Sequence, residues 1–237
     1  MDTKLIGHDV VAEGTMLFRF EKPEGFTYTA GQSIDLLLID PPETDAEGDT
    51  RAFTLASAPD DTHLAIATRM RDTAFKRVLK SMVPGTPMRF EGPFGELTLP
   101  EQPERPIVFL AGGIGITPFY SMSRYATTHS LPHQITLFYS NRRPEDAAFL
   151  NELLTLPERN PNFALVGTMT EMEKSAQEWA GEQGYIDATM LKQHLADAEN
   201  ALYYIAGPIG MVAALRTMLN EMGVKKESIR TEEFTGY

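Results

Sequence analysis

Arg105-Pro-Ile-Val-Phe-Leu-Ala-Gly-Gly-Ile-Gly-Ile-Thr-Pro-Phe-Tyr-Ser-Met122 is the stretch that decides the architecture of this chain. Ile107 to Ala111 is an unbroken apolar run, short enough for a strand and apolar enough to be buried on both faces. Gly112, Gly113 and Gly115 follow at once, where the chain must turn and let another group approach its backbone closely. Thr117 is placed to cap a helix and Pro118 to be its first residue. Strand, glycine turn and helix start together make an anion site suited to a pyrophosphate. An ordinary strand-to-helix turn of an α/β domain would read the same way. Proline stands at 118 where the fingerprint G-x-G-x-x-G has its third glycine. The next strand runs into Tyr139-Ser140-Asn141 and ends on no acidic residue, so a ribose bound here is held differently.

Outward from that stretch, strands alternate with helices. Ile135–Tyr139 precedes a helix from Pro144 with Phe149, Leu150, Leu153 and Leu154 on one side. Phe163–Thr168 is a further strand, and Asp187 caps a helix through Leu195. Ala201–Ala206 is again a buried-type strand, entering Gly207-Pro-Ile-Gly-Met211 and a helix that stops near Gly223; Ile229–Phe234 closes the series. This alternation predicts right-handed crossovers and a parallel sheet covered on both faces. Both glycine turns then lie beyond the carboxyl ends of strands in one sheet, where ligands of such sheets bind.

The first hundred residues read differently. Leu5–Val11, Met16–Phe20, Gln32–Ile39, Arg51–Ser57, His63–Met70 and Pro87–Glu91 are short strands separated by turn residues, including the acidic loop Pro41 to Thr50. Such a series predicts a closed antiparallel barrel of the Greek-key kind. One helix interrupts it, with Asp72 as cap and Phe75, Val78, Leu79 and Met82 on a single apolar face. The Pro- and Glu-rich stretch Pro100 to Pro106 separates the two patterns. The expected fold class is mixed β and α/β: an antiparallel barrel over residues 1–101, then a parallel-sheet nucleotide-binding domain over 102–237.

Composition removes several chemistries. The 237 residues contain no cysteine, which excludes disulfides, thiolate catalysis and cysteine-ligated clusters or zinc. The five histidines are scattered with no pair at metal-ligand spacing on one helix, so no metal site is expected. A formal charge of −12 argues against nucleic-acid binding. No apolar run approaches membrane-spanning length and no charged-then-apolar leader opens the chain, so a soluble, cytoplasmic protein is expected, with monomer as the default.

Arg51-Ala-Phe-Thr-Leu-Ala-Ser57 is the second chemical signal. An arginine two positions from an aromatic shares its face of a strand, offering a fork for phosphate beside a flat platform. Read alone, the pair fits an exposed arginine beside a core phenylalanine better. Its context is wider, because six segments in order resemble the motifs of the ferredoxin–NADP⁺ reductase superfamily, flavoenzymes built of a barrel and a nucleotide domain. Arg51-Ala-Phe-Thr54 with Ser57 is similar to the family's flavin motif, and Asp72-Thr-Ala-Phe-Lys76 falls where its second flavin segment opens the barrel helix. Glu91-Gly-Pro-Phe-Gly95 resembles its Gly-Pro-x-Gly, Ala111 to Pro118 its nicotinamide loop, Ala206-Gly-Pro-Ile-Gly-Met211 its Cys-Gly-Pro-x-x-Met, and Glu233-Phe-Thr-Gly-Tyr237 its chain end.

The resemblance implies FAD and either NADH or NADPH as cofactors. It implies flavin contacts from Arg51, Ala52, Phe53, Thr54, Thr68, Met70, Thr73, Ala74, Phe75 and Lys76. Nicotinamide nucleotide contacts fall to Gly112, Gly113, Gly115, Thr117, Ser140, Asn141, Arg142, Gly207, Pro208 and Met211. Thr54 and Glu233 stand at the reacting centre, with Tyr237 or Phe234 covering the flavin face. Lys76 and Ala206 depart from the family pattern, which has a small hydroxyl residue and a cysteine there. With no cysteine-rich electron-transfer module in the chain, the implied partner is a separate ferredoxin, flavodoxin or oxygenase component. Reduction of free flavins or small acceptors, or a binding subunit with little turnover, are the alternatives. Thr168-Met-Thr-Glu-Met-Glu173 carries two carboxylates and no arginine, favouring NADH, whereas Arg142 and Arg143 could read a 2′-phosphate. Arg69, Arg71, Lys76, Arg77 and Lys80 are the densest basic cluster for an acidic carrier.

Overall fold

Alternate burial along the early strands produces one side of a barrel core at a time. In the computed structural model, which describes residues 1–103 and 105–234, these strands are β1 (Asp2–Ala12), β2 (Thr15–Glu21), β3 (Ser33–Leu38), β4 (Thr50–Thr54), β5 (His63–Arg69) and β6 (Pro87–Phe94). They form an antiparallel sheet in the order β4-β3-β6-β1-β2-β5. An antiparallel bridge between Leu55 and Ile66, with the Ala56 amide donating to the Ala65 carbonyl at 2.8 Å, joins the two edges and closes the sheet on itself. Ile34, Leu36 and Leu38 point inward from β3, meeting Phe18, Phe20, Leu64 and Phe90. Helix α1 (Ala74–Ser81) adds Phe75, Val78 and Leu79 to this core, each side chain contributing roughly 1.5–3 kcal/mol on full burial.

The second half builds β7 (Ile107–Gly112), α2 (Ile116–Thr128), β8 (Ile135–Asn141), α3 (Leu150–Arg159), β9 (Phe163–Met169), β10 (Glu182–Gln183), α4 (Ala188–His194), β11 (Leu202–Pro208), α5 (Ile209–Glu221) and β12 (Ile229–Phe234). The sheet is parallel throughout, ordered β10-β9-β8-β7-β11-β12. Because β7 is wholly buried, its side chains serve two cores. Ile107, Phe109 and Ala111 pack under α2, α3 and the barrel, and Val108 and Leu110 pack under α4 and α5. The order reverses between β7 and β11, so the Gly112 and Gly207 turns adjoin at the topological switch point.

Local details depart from expectation where a cap or corner was involved. The cap of α1 is Thr73, whose side chain accepts from the Lys76 amide at 3.4 Å; Asp72 instead turns outward to Arg77. A 3₁₀ turn over Gly113–Gly115 runs straight into α2, so the helix is already wound when it reaches Thr117 and Pro118. Thr117 is buried and donates to the Ile114 carbonyl at 3.1 Å rather than capping. Pro144–Asp146 is a separate 3₁₀ turn, and the chain passes through left-handed Phe149 (φ 61°) before α3, whose Leu154 faces solvent. Phe149 gains a ring stacked on Tyr120 at 3.9 Å in exchange for that backbone conformation. Asp187 caps α4 as expected, accepting from the Met190 amide at 2.8 Å. The two-residue strand β10 has no periodic signal; it follows Trp179, whose ring lies over the bare backbone of Gly167 and Gly181.

Candidate functional site

The end of β4 and the start of α1 form the first part of the site. Strand alternation turns Arg51 and Phe53 toward α1, where the guanidinium lies 5.2 Å from the centre of the Phe75 ring and Phe53 packs at 5.8 Å from it. Ala52, on the opposite face, is exposed. Arg51 holds an anion. Asp45 Oδ1 sits 2.9 Å from Arg51 Nη2, and Asp45 Oδ2 accepts from the Ala74 amide at 3.2 Å. Desolvation pushes the Asp45 carboxyl up, but the Glu47 amide, the Arg51 guanidinium and the Ala74 amide outweigh it and keep it below the usual carboxylate range. A carboxylate bridging a guanidinium and a helix-start amide occupies the place a phosphate would take, so the donor set fits a diphosphate.

Lys76 lies beneath the same surface, donating to the Arg69 carbonyl at 2.7 Å. Burial first, then Arg71 and Arg51, brings its ammonium down to about 8. Of the five basic residues in the expected docking cluster, Arg77 is clasped by Glu43 and Asp72, which leaves Arg69, Arg71 and Lys80 as the more open charges. Thr68 is buried in β5, and half-buried Met70, just past the strand's end, faces the second part of the site.

That second part is a cavity of about 840 Å³ between the end of β5 and the carboxyl ends of β7, β8, β9 and β11. Gly112, Gly113, Ser140, Asn141, Arg142, Pro208 and Met211 line it, together with Met70 and Arg71 from the barrel side. One glycine is required by close approach: a Cβ on Gly115 would stand 2.3 Å from the Ala206 carbonyl oxygen, whereas one on Gly112 would meet the movable Met211 side chain, 2.2 Å from its Sδ. Gly115, Gly207 and Thr117 therefore brace the turn from inside, and none of the three lines the cavity. Asn141 is 6% exposed, and neither atom of its amide finds a hydrogen-bond partner among the described residues. Buried amides are nearly always paired, which sets Asn141 apart among the residues lining the cavity. Arg142 stays exposed, 3.9 Å from Glu171, while Arg143 is locked to Asp146 and Glu13 at 2.9 Å each.

The barrel and the parallel sheet meet at Thr54. Its hydroxyl lies 3.4 Å from Glu232 Oε1 on β12, and Glu232 Oε2 is buried with no partner among the described residues. Burial pushes the Glu232 carboxyl up against the opposing effect of the Thr54 hydroxyl. The carboxylate facing Thr54 is thus that of Glu232. Strand alternation turns Glu233 to solvent, one residue out of phase. Phe234 is half-buried against the core beneath β7. Tyr237 lies outside the described residues.

Three participants escaped the reading of the sequence: Glu232, Asp45 and the exposed Tyr185 at the cavity's rim. The acidic loop was visible as composition, and its closeness to Arg51 in sequence was the available signal for Asp45. Among the described residues no group of three His, Asp or Glu could hold a metal, and no helix is long and apolar enough to cross a membrane.

Residues 109–217 match the family model of the oxidoreductase NAD-binding domain. The chain is 27% identical over 223 residues to the glycine betaine monooxygenase reductase subunit of Chromohalobacter salexigens, covering 93% of this chain and 60% of that one. It is 29% identical over 227 residues to ferredoxin–NADP reductase B of Sorangium cellulosum, covering 91% and 89%. A ferredoxin NADP⁺ reductase from Neisseria gonorrhoeae, solved with bound FAD and NADP, matches over 98% of both chains with a TM-score of 0.81 and 22% identity, a likeness of fold. The chain spans 60% of the length of the first of these relatives.

Proposed function

We propose that the chain is a flavoprotein reductase of the ferredoxin–NADP⁺ reductase type, which draws reducing equivalents from NADH or NADPH through FAD and passes them to a separate carrier; the matching NAD-binding domain and the reductase relatives support this. The observation that carries this reading is the junction at Thr54. Thr54, which ends the strand carrying Arg51 and Phe53, pairs with Glu232 on β12 and so ties the barrel site to the parallel sheet whose switch point holds the large cavity. When bound, the two cofactors supply the chemistry, a hydride passing from nicotinamide C4 to flavin N5. The chain's residues hold, orient and shield.

Arg51 and the Ala74 amide hold the flavin diphosphate, with Thr73 capping the helix start and Lys76 adding charge from below. Phe53, backed by Phe75, is the platform for the ring system; Ala52, Thr68 and Met70 border it. Gly112, Gly113, Ser140 and Asn141 take the nicotinamide nucleotide, flanked by Pro208 and Met211, while Gly115, Thr117 and Gly207 keep the turn in shape. Thr54 offers its hydroxyl at the reacting edge and Glu232 fixes that hydroxyl and can hold a proton there. On this reading the chain divides into a flavin unit over 1–101 and a nucleotide unit over 102–237, working as a cytoplasmic monomer. The carrier is a ferredoxin, flavodoxin or oxygenase component; the reductase roles of the named relatives support that class. Glu171 beside Arg142 supports NADH over NADPH, since a carboxylate there repels a 2′-phosphate.

The test is flavin retention. Losing a charge-assisted phosphate contact costs roughly 1.5–3 kcal/mol, so Arg51→Ala is expected to purify largely without FAD while the parent protein is yellow. An Arg51→Ala protein with full flavin content overturns the assignment.

A further inference from the structure

The segment between β3 and β4 does more than connect strands. It turns at left-handed Asp40 (φ 44°) and again at Gly48 (φ 78°), and between these corners it folds back over α1. Asp45 bridges Arg51 Nη2 and the Ala74 amide, and Glu47 Oε2 lies 3.1 Å from the same Nη2. Arg51 Nη1 donates to the carbonyls of Glu47, Gly48 and Thr50 at 3.0, 2.9 and 2.8 Å. One turn further along α1, Glu43 grips Arg77 with both oxygens, at 3.0 and 2.5 Å. Both terminal nitrogens of Arg51 are therefore committed to this one segment.

We propose that residues 43–48 are an internal phosphate mimic, with the Asp45 carboxylate standing on the anion site so that FAD loads only by displacing the segment. This rests on the reading that Arg51 and the start of α1 hold the flavin diphosphate. The Ala74 amide has a single N–H, and both terminal nitrogens of Arg51 already carry partners from this segment, so a diphosphate that takes the same amide and Nη2 must displace the Asp45 carboxylate. The segment and the diphosphate therefore compete. A binding-competent fraction of about one in ten lowers the apparent affinity about tenfold. The chain thereby keeps Arg51 and Arg77 paired when flavin is absent, and flavin becomes an exchangeable rather than a fixed cofactor. Riboflavin, which has no phosphate, has nothing for Asp45 to oppose.

The experiment measures FAD and riboflavin binding to flavin-stripped protein by flavin fluorescence, for the parent chain, Asp45→Asn, Glu47→Gln and Arg51→Ala. Asp45→Asn is expected to bind FAD on the order of tenfold more tightly, with riboflavin affinity unchanged. Glu47→Gln, altering an exposed side chain that carries little of the fold, is expected to move the same way by less. Amide exchange over residues 43–48 is expected to speed up when FAD is bound. FAD affinity in Asp45→Asn that equals or falls below the parent's overturns the proposal, as does exchange over 43–48 that slows or stays constant with FAD. Full FAD affinity in Arg51→Ala overturns instead the assignment of the diphosphate to this arginine, which separates the two failures.

Discussion

The depressed ammonium of Lys76 makes FAD binding a function of pH. In the free protein, burial and then the neighbouring Arg71 and Arg51 bring this group to about 8, so at pH 9.5 it is largely neutral. A bound diphosphate restores the charged form and draws the group back toward the ordinary lysine value of about 10.4. The sign follows from proton linkage. Below pH 8 the ammonium is charged in both states and affinity is at its maximum; above 8 binding must take up a proton, and affinity falls by up to one decade per pH unit. With those two values the dissociation constant rises roughly 25-fold between pH 7 and 9.5. Equilibrium titration of stripped protein with FAD, followed by fluorescence at half-unit steps of pH, reads this directly. Lys76→Gln supplies the control: its profile is expected to be nearly flat, at the weak affinity of the neutral side chain. A parent profile as flat as that of Lys76→Gln, or one that tightens with rising pH, refutes the reasoning.

Glu232→Gln is expected to retain FAD while flattening the pH dependence of its reduction by nicotinamide, because the carboxyl that burial raises is gone; a parent-like profile counts against Glu232 at the reacting edge. Gly115→Ala places a Cβ 2.3 Å from the Ala206 oxygen and 2.6 Å from the Gly207 amide nitrogen, both backbone atoms. Overpacking of that kind costs about 1–3 kcal/mol. Calorimetry is expected to show a Tm lower by roughly 2–12 °C, with nicotinamide affinity reduced and FAD affinity kept. Arg142→Ala is expected to weaken NADPH binding about tenfold and NADH binding little; equal losses for the two nucleotides refute a role for Arg142 at the 2′-phosphate.

Much of this was legible in the order of residues. The run Ile107–Ala111 could be a strand only if both faces were covered, and its side chains do divide between two cores. The apolar face of Phe75, Val78 and Leu79 needed only the helical period to be seen, and those three side chains are buried. Placement of the second glycine turn beside the first followed from a parallel sheet, and β11 pairs with β7. What escaped depends on positions in space. Whether Glu232 or Glu233 faces Thr54 is a question of strand phase, which flips with a single residue and is set by where β12 meets the barrel. Thr117 has the chemistry of a cap, but the glycines before it let the helix begin earlier. Phe149 in a left-handed conformation is held by its stacking on Tyr120, a contact between residues 29 positions apart. Asp45 reaches Arg51 because the loop doubles back through two left-handed corners, which composition alone does not convey.

The central claim is that the barrel site and the switch-point cavity bring two redox cofactors into direct contact at Thr54. A single-turnover experiment without oxygen tests it most directly: FAD-loaded protein is mixed with one equivalent of NADH or NADPH, either ordinary or deuterated at the transferable position of nicotinamide C4, and flavin absorbance is followed. The account predicts complete bleaching by one equivalent, slower with the deuterated nucleotide. Flavin that neither nucleotide bleaches on a fully FAD-loaded protein would contradict it.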